Sequence, residues 1–368
     1  MCVFSSPSFD HHELVTFTED PASGLKAIIA VHNSNLGPAV GGCRMYPYAN
    51  DREALEDVLR LSRGMTYKSA LAGLPMGGGK AVIIGDHRTQ KSKALLEAMG
   101  DFINTQGGKY VTAEDSGTGV EDMKIIGTRT EHVSGVDDNQ SYGGDPSPFT
   151  AYGIYCGMKA ALKHKLGSDD LNGIRVAVQG AGAVGRYLSE LLIKEGALVY
   201  VADINQENLD KTLALGAQQV AVEDIISLDV DVFVPCAMGA ILNDETIPTL
   251  KASIVAGGAN NQLAEQRHGE MLRKSGILYA PDFVINAGGI IEIHHQRSGT
   301  AEQSRAHVER IGETLSEIFR LSDEQATSTV AVAEQLAEAK FQNVESFENS
   351  QNYDAEALSA AYTSANHD

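Results

Sequence analysis

The stretch Ile174 to Asp203 restricts the possible folds more than any other part of the chain. Ile174 to Gln179 (IRVAVQ) has the pattern of a buried strand and runs directly into Gly180-Ala181-Gly182-Ala183-Val184-Gly185. The residues that follow place Leu188, Leu191 and Leu192 at helical spacing, and a second strand pattern, Leu198 to Ala202, ends at Asp203. Glycines at the first, third and sixth positions of a strand-to-helix turn, with an acid roughly 20 residues on, are what a dinucleotide site needs. Gly180 permits the tight turn, Gly182 admits a pyrophosphate to the helix N-terminus, and Gly185 lets helix and strand pack closely. The glycine pattern alone also fits a purely structural turn. The flanking strands and Asp203 favour the nucleotide reading, and an acid at that position can accept both ribose hydroxyls while repelling a 2′-phosphate. NAD is therefore expected over NADP.

Further strand patterns follow at Asp231 to Pro235, Ser253 to Ala256 and Leu278 to Ala280. Between them lie Cys236-Ala237-Met238-Gly239 and Gly257-Gly258-Ala259-Asn260-Asn261, at the carboxyl edge where cofactors lie in a doubly wound sheet. Asn286 to Ile291 reads as a close-approach turn entering a helix, and the chain beyond Gly299 as helical through Val308, Ile311, Leu315 and Phe319 and again over Val330 to Ala339. The tail from Glu348 is polar and expected to fray. With 368 residues there is room for two domains. Val136 to Pro148, rich in Gly, Asp, Ser and Pro, marks a loop between them. The expected division is a first domain over 1–144, a nucleotide-binding domain over 145–324, and C-terminal helices from about residue 325.

Within the first part, Ala27 to His32 and Gly37 to Arg44 are strand candidates. Asn50 and Glu53 form a capping box for a helix carrying Leu55, Val58, Leu59 and Met65 at helical spacing. Lys68 extends that apolar stripe. A lysine on the core side of a helix must meet an anion, lose its proton or reach water along its stem. Gly77-Gly78-Gly79 then allow a close backbone approach and deliver Lys80 to the start of a strand at Ala81 to Ile84. A helix from about Lys91 to Gln106 and a strand Lys109 to Ala113 lead to Glu114-Asp115-Ser116-Gly117, which puts Asp115 at a strand end. A turn or cap aspartate is the plainer reading of that residue.

Composition narrows the function classes. A formal charge of −20 disfavours nucleic acid and anionic membrane partners. No apolar run is long enough to span a bilayer, and MCVFSSPSFDHHEL lacks the basic start and apolar centre of a signal peptide, so a cytoplasmic protein is expected. Cys2, Cys43, Cys156 and Cys236 are scattered without CxxC spacing, which argues for free thiols and against a zinc site.

The motifs GGCRM (41–45), GMTYK (64–68), GGGK (77–80), TAEDSGT (112–118), DPSPFTAYG (145–153), GAGAVG (180–185), ADIN (202–205), PCAMGA (235–240), GGANNQLAE (257–265) and YAPDFVINAGGI (279–290) together resemble the glutamate/leucine/phenylalanine/valine dehydrogenase superfamily. The resemblance runs from about Gly24 to Ile293 and is greatest to the leucine dehydrogenase branch. It implies an α/β fold of two domains: an N-terminal substrate domain that also builds a homo-oligomer, and a Rossmann NAD domain. A C-terminal helix would return to the first domain. By similarity Lys68 binds the substrate carboxylate, Lys80 activates water and stabilises a carbinolamine, and Asp115 exchanges protons with the amino nitrogen. A nearby cation, Lys68, and desolvation would help Lys80 act as a base. Val40, Gly41, Ala113, Ile290 and Ile293 would line the side-chain pocket. Thr150 and Asn260 or Asn261 would seat the nicotinamide and the amino group, and Cys236 and Ala237 would lie along the cofactor with Ala183 and Val184.

The implied reaction is reversible NAD-dependent oxidative deamination of an apolar L-amino acid, leucine first, to a 2-oxo acid and ammonia. Three alternatives stay open: a phenylalanine or tryptophan dehydrogenase, a glutamate dehydrogenase, and a non-catalytic NAD-binding regulator. Glutamate would want a cation where Val40 stands, and a regulator has no use for Lys68, Lys80 and Asp115 together. Asp145 departs from the asparagine common in the leucine branch, and its role is open.

Overall fold

The structure is a computed structural model, and it describes residues 3–135, 145–237, 239–296 and 299–342. The described residues form two compact units. Residues 3–135 with 335–342 make the first, and residues 145–334 the second.

The first unit contains β1 (Leu14–Asp20), β2 (Leu25–Asn33), β3 (Ala39–Tyr46), α1 (Asp51–Leu71), β4 (Gly77–Ile84), α2 (Lys93–Asn104), β5 (Tyr110–Ala113) and α3 (Val120–Gly127). Its sheet has the order β1-β2-β4-β3-β5; β2 is antiparallel to both neighbours, and β3 is parallel to β4 and β5. β2 shows why both faces are covered. Leu25, Ala27, Ile29 and Val31 pack with Leu95, Leu96, Met99, Phe102 and Ile103 of α2 and Met123 and Ile126 of α3. Ile28 and Ala30 pack instead with Ala54, Leu55, Val58 and Leu59 of α1. Successive strand side chains point to opposite faces, so a strand covered on both reads as a continuous apolar run. At the start of α1 the Asn50 side chain accepts the Glu53 N–H at 3.1 Å. The Glu53 carboxylate takes the Asn50 side-chain amide and the Ala49 N–H, so the box closes one residue early.

Two expectations for this unit need correction. β4 begins at Gly77 and not at Ala81, so Lys80 sits inside the strand, paired with Ala30, and not at its end. β1 was not expected at all. It is an edge strand whose residues are exposed or half-buried, and its polar Thr-Phe-Thr-Glu-Asp run carries no buried pattern.

The second unit continues with α4 (Ser147–Leu166), β6 (Arg175–Gln179), α5 (Ala183–Lys194), β7 (Leu198–Ala202), α6 (Gln206–Leu213), β8 (Gln218–Gln219) and β9 (Val232–Pro235). β10 (Ile254–Val255), α7 (Arg267–Lys274), β11 (Leu278–Tyr279), α8 (Asp282–Ile285), α9 (Gly288–Gln296), α10 (Ala301–Gln325) and α11 (Thr329–Gln342) follow. All six strands are parallel in the order β11-β10-β9-β6-β7-β8. The winding direction reverses between β6 and β9, and that switch point is where such sheets bind nucleotides.

The loop expected over Val136 to Pro148 lies largely outside the described residues, but Ser147 and Pro148 are the first residues of α4, a helix the sequence reading lacks. Proline is tolerated in a first helical turn, where its missing N–H has no partner to lose. α11 changes units along its length. Val330 joins the core of the second unit and the Thr329 hydroxyl donates to Tyr279 O at 2.7 Å. From Gln335 the helix belongs to the first unit, where the Tyr67 hydroxyl donates to Glu338 at 2.7 Å and the Asn35 amide to Phe341 O at 2.8 Å. The first unit resumes at Gln335, within α11. The tail from Glu348 lies outside the described residues.

Candidate active site

The sheet of the first unit presents one face to α1, and the alternation of its strands selects what stands there. Val82 packs in the α1 core while Ala81 and Ile83 pack on the opposite side, so Lys80 and Gly78 share the α1 face. On β3, Ala39, Cys43 and Met45 face away, leaving Val40, Gly42 and Arg44 on the α1 side. Pairing of Gly42 with Ala113 brings the end of β5 into line.

Asp115 follows two residues later, and its Oδ2 forms an ion pair with Lys80 Nζ. Lys80 is only 6% exposed. Gly42 makes the meeting possible, because a Cβ there would lie 2.7 Å from both Asp115 Cβ and Glu114 O. Three further bonds fix the turn: the Ser116 N–H donates to Asp115 Oδ1 at 2.6 Å, the Asp115 N–H to the Thr118 hydroxyl at 3.0 Å, and that hydroxyl to Cys43 O at 2.7 Å.

Burial pushes the Asp115 carboxyl up, but the charges of Lys80 and then Arg44 outweigh it and hold it at about 2. The charge touching Lys80 is thus negative, where the sequence reading looked to Lys68 for a cation. Lys68 itself is half-buried on α1, two residues beyond Thr66. Thr66 lies directly over Gly78, whose Cβ would come within 2.1 Å of the Thr66 nitrogen. A Cβ on Gly79 would meet the Tyr110 ring at 2.6 Å, and one on Gly41 would meet Gly79 O at 1.7 Å. The glycine cluster admits neighbouring protein, holding α1 and β3 tightly against β4.

In the second unit, Gly180 has φ +103°, and a Cβ on Gly185 would lie 2.0 Å from Gly180 O. Gly182 caps α5 with nothing within 4 Å of its would-be Cβ, so the helix N-terminus beside Ala183 and Val184 is open. Asp203 is half-buried; its Oδ2 accepts the Ala181 N–H at 2.6 Å and its Oδ1 the Asn205 N–H at 2.7 Å. The acid therefore braces the glycine turn as well as ending β7. Ile204 beside it is 92% exposed, a large apolar side chain left in the open next to the turn. Cys236 and the exposed Ala237 follow β9 against Gly180, and burial raises the Cys236 thiol to about 11.

Thr150 lies on α4 against Gly289, its hydroxyl donating to Pro146 O at 3.1 Å. Asn260 and Asn261 are exposed, and Asn260 Oδ1 accepts from the side-chain amide of the buried Asn286 at 2.8 Å. Ile290 and Ile293 lie on α9, the first buried and the second half-buried.

The same helix carries Glu292, 4% exposed, whose Oε2 has no hydrogen-bond partner among the described residues. Burial raises its carboxyl to about 7 and the charge of Asp145 adds to the rise, against a hydrogen bond from Gln296. Asp145 itself accepts the Ser147 N–H at 2.9 Å, an acid at the N-terminal end of α4 where the helix dipole favours it. The native state thus holds a proton on Glu292 between about pH 4.5 and 7 that the unfolded chain has released. Stability from this group is full below that window, and the penalty is complete above it. Glu292→Gln should therefore raise the melting temperature by several degrees at pH 8.5, on the order of 2 kcal/mol, and by little at pH 5. A melting difference independent of pH would rule this out.

A parallel sheet of this order with an open glycine turn at its switch point defines a nucleotide-binding unit, and the Lys80–Asp115 pair adds acid-base groups of the kind a dehydrogenase uses. Comparison with known proteins gives the family. Residues 12–132 match the model of the Glu/Leu/Phe/Val dehydrogenase dimerisation domain, and residues 203–361 that of Glutamate/Leucine/Phenylalanine/Valine dehydrogenase. The leucine dehydrogenase of Thermoactinomyces intermedius is 49% identical over 91% of this chain and 92% of its own length. A phenylalanine dehydrogenase of Bacillus thermotolerans is 45% identical over 89% and 88%. The crystal structure of L-tryptophan dehydrogenase from Nostoc punctiforme superposes with a TM-score of 0.79 at 43% identity, covering 91% of this chain and 97% of that one. The chain belongs to the Glu/Leu/Phe/Val dehydrogenase family, whose members use a nicotinamide nucleotide.

Sequence reasoning assigned no role to Gly42, Arg44, Glu292 or Ile204. Gly42 and Arg44 stood in the quoted GGCRM motif, but only the strand register shows that they flank Asp115.

Proposed function

We propose that this protein catalyses the reversible NAD-dependent oxidative deamination of an apolar L-amino acid, leucine first, to its 2-oxo acid and ammonia. The observation that carries the proposal is the buried Lys80–Asp115 pair on the α1 face of the first sheet. A lysine and a carboxylate in contact can pass a proton between a substrate nitrogen and a water, which is what imine hydrolysis requires. Lys68 binds the substrate carboxylate. Asp115 takes a proton from the substrate ammonium, Lys80 takes one from the attacking water, and its ammonium form then stabilises the carbinolamine oxygen.

The glycine turn fits a dinucleotide: an open α5 N-terminus for the pyrophosphate, a half-buried Asp203 for the ribose and exposed Ile204 for an adenine face. Bound there, the oxidised nicotinamide supplies the acceptor for the hydride leaving Cα. Thr150 and Asn260 or Asn261 seat the nicotinamide and the substrate amino group, and Cys236 and Ala237 lie along the cofactor. The negative charge of Asp203 favours NAD over NADP.

In the first unit the side-chain contacts are assigned to Val40 and Ala113, neither of which can pair with a carboxylate, and Ile290 and Ile293 of the second unit are equally apolar; Gly41, expected among them, lies on the opposite face of β3 with its Cβ direction closed by Gly79 O at 1.7 Å. The small Val40 and Ala113 favour a second reading, an aromatic amino acid as substrate. The protein assembles as a homo-oligomer through its N-terminal unit, in keeping with the matched dimerisation model and with the exposed edge strand β1, where Phe17 is 54% exposed. The free Cys43, Cys156 and Cys236 suit the reducing cytoplasm.

The test is kcat/KM for leucine, valine, isoleucine, phenylalanine, tryptophan and glutamate with NAD and with NADP. Leucine with NAD is expected to lead, and glutamate to fall about a thousandfold below it, because burying its carboxylate without a partner costs several kcal/mol. Phenylalanine or tryptophan in first place would establish the aromatic reading. Glutamate in first place would overturn the pocket, NADP preference the cofactor, and no turnover of any of them the enzyme.

A further inference from the structure

The proposed reaction asks something of Asp115 that Lys80 alone cannot supply. Each time Lys80 gives up its proton, its positive charge leaves the oxygen it was paired with. A buried carboxylate stripped of its counter-charge takes up a proton, because desolvation penalises the charged form. Asp115 would then no longer accept a proton from the substrate nitrogen.

A second cation stands on the same oxygen. Arg44 Nε lies 3.6 Å from Asp115 Oδ2, and the two side chains are 20% and 16% exposed. A guanidinium keeps its charge at every pH the enzyme meets. Arg44 reaches this position because β3 places it two residues beyond Gly42, on the same face of the sheet. It is held from its other side: Arg44 Nη1 donates to Asp57 Oδ2 of α1 at 2.9 Å, and the Tyr48 hydroxyl donates to the same oxygen at 2.5 Å.

We propose that Arg44 is a positioning residue for the reaction, keeping Asp115 a carboxylate through the part of the cycle in which Lys80 is neutral. Asp57 and Tyr48 fix the guanidinium in place. The other titratable groups around Asp115 do not compete for this role. The Cys43 thiol of β3 is pushed up to about 12 by burial and by the Asp115 charge, and the Tyr110 hydroxyl of β5 is raised well beyond its ordinary value, so both stay neutral. Asp122 of α3 pairs with Lys91 at 2.7 Å, and Glu114 adjoins Asp115 in the chain.

This rests on the role given above to Asp115, so the test reads the carboxyl itself as well as turnover. The full-length protein is labelled with 13C at its aspartate carboxyls, and the Asp115 resonance, assigned with Asp115→Asn, is titrated in Lys80→Ala and in Lys80→Ala/Arg44→Gln. With Arg44 present and Lys80 gone, Asp115 should still titrate at or below the ordinary carboxylate value of about 3.9. With both cations gone it should titrate about 1 to 3 units higher. Identical titrations in the two proteins overturn the proposal, whether or not the enzyme turns over any amino acid.

The pH profile of kcat/KM supplies the second arm. Its acidic limb should move up in Arg44→Gln and return most of the way in Arg44→Lys. A fall of equal size at every pH in both variants would show a structural role only and overturn the assignment. Should Arg44→Gln not fold, Asp57→Asn carries the test, since loosening the guanidinium must also move the limb.

Discussion

Lys80→Ala is expected to lower kcat by about a thousandfold, with little change in nucleotide binding and a melting temperature within a few degrees of the parent. The structure gives reasons for each part. Lys80 is buried within β4 with its ammonium on Asp115, so its removal deletes the group proposed to move the proton of water and leaves the strand's backbone ladder in place. It also breaks a buried ion pair, which ordinarily leaves an uncompensated charge. Here the Asp115 carboxylate retains Arg44, which limits that penalty. Lys68→Ala, in contrast, should act mainly on KM for the amino acid, because the carboxylate contact proposed for it is made equally in the ground and transition states. Steady-state kinetics at one pH with thermal melts of each variant decides the matter. Near-normal turnover in Lys80→Ala would remove it as the base.

The nucleotide turn was legible in the sequence because its requirements are local. Gly180 needs a positive φ and Gly185 needs the space of a side chain, and both demands arise within six residues of one another. The bracing of the Ala181 N–H by Asp203 was not legible. It depends on the strand pairing that lays the end of β7 beside the end of β6.

The same contrast separates Lys80 from its surroundings. Its residue type marked it, but the glycines before it read as a loop, since glycine is depleted in strands. Only the closeness of α1, Tyr110 and β3 explains why Gly77–Ile84 is one strand with three glycines at its start. Edge strand β1 and the exposed two-residue β8 carry no buried alternation to detect. α4 was hidden by proline and small polar residues at its entrance, which belong as naturally to a first helical turn as to a loop. Glu292 offered no signal at all, because a single glutamate among isoleucines on a short helix shows neither its burial nor its neighbour Asp145.

Gly42→Ala should lower kcat/KM by about a hundredfold, although it only replaces one hydrogen with a methyl group. The added Cβ would lie 2.7 Å from Asp115 Cβ and 2.7 Å from Glu114 O, distances that real methyl groups do not tolerate. The strand cannot yield easily, since Gly42 is paired with Ala113 on one side and the adjacent Gly41 already rests against Gly79 O on the other. The turn after β5 must therefore move, and Asp115 moves with it, away from Lys80 and Arg44. A displacement near 1 Å in a reacting group is enough for a loss of this size. The accompanying overpacking costs about 1–3 kcal/mol, which for a unit of this size lowers the melting temperature by several degrees and leaves it folded at assay temperature. Kinetics and melting of Gly42→Ala are best read beside Asp115→Asn, which removes the charge without moving the turn. If both variants lose activity and Gly42→Ala alone loses stability, position as well as charge matters at Asp115. Wild-type kcat/KM in Gly42→Ala would mean that the glycine is dispensable and that Asp115 can serve from more than one place.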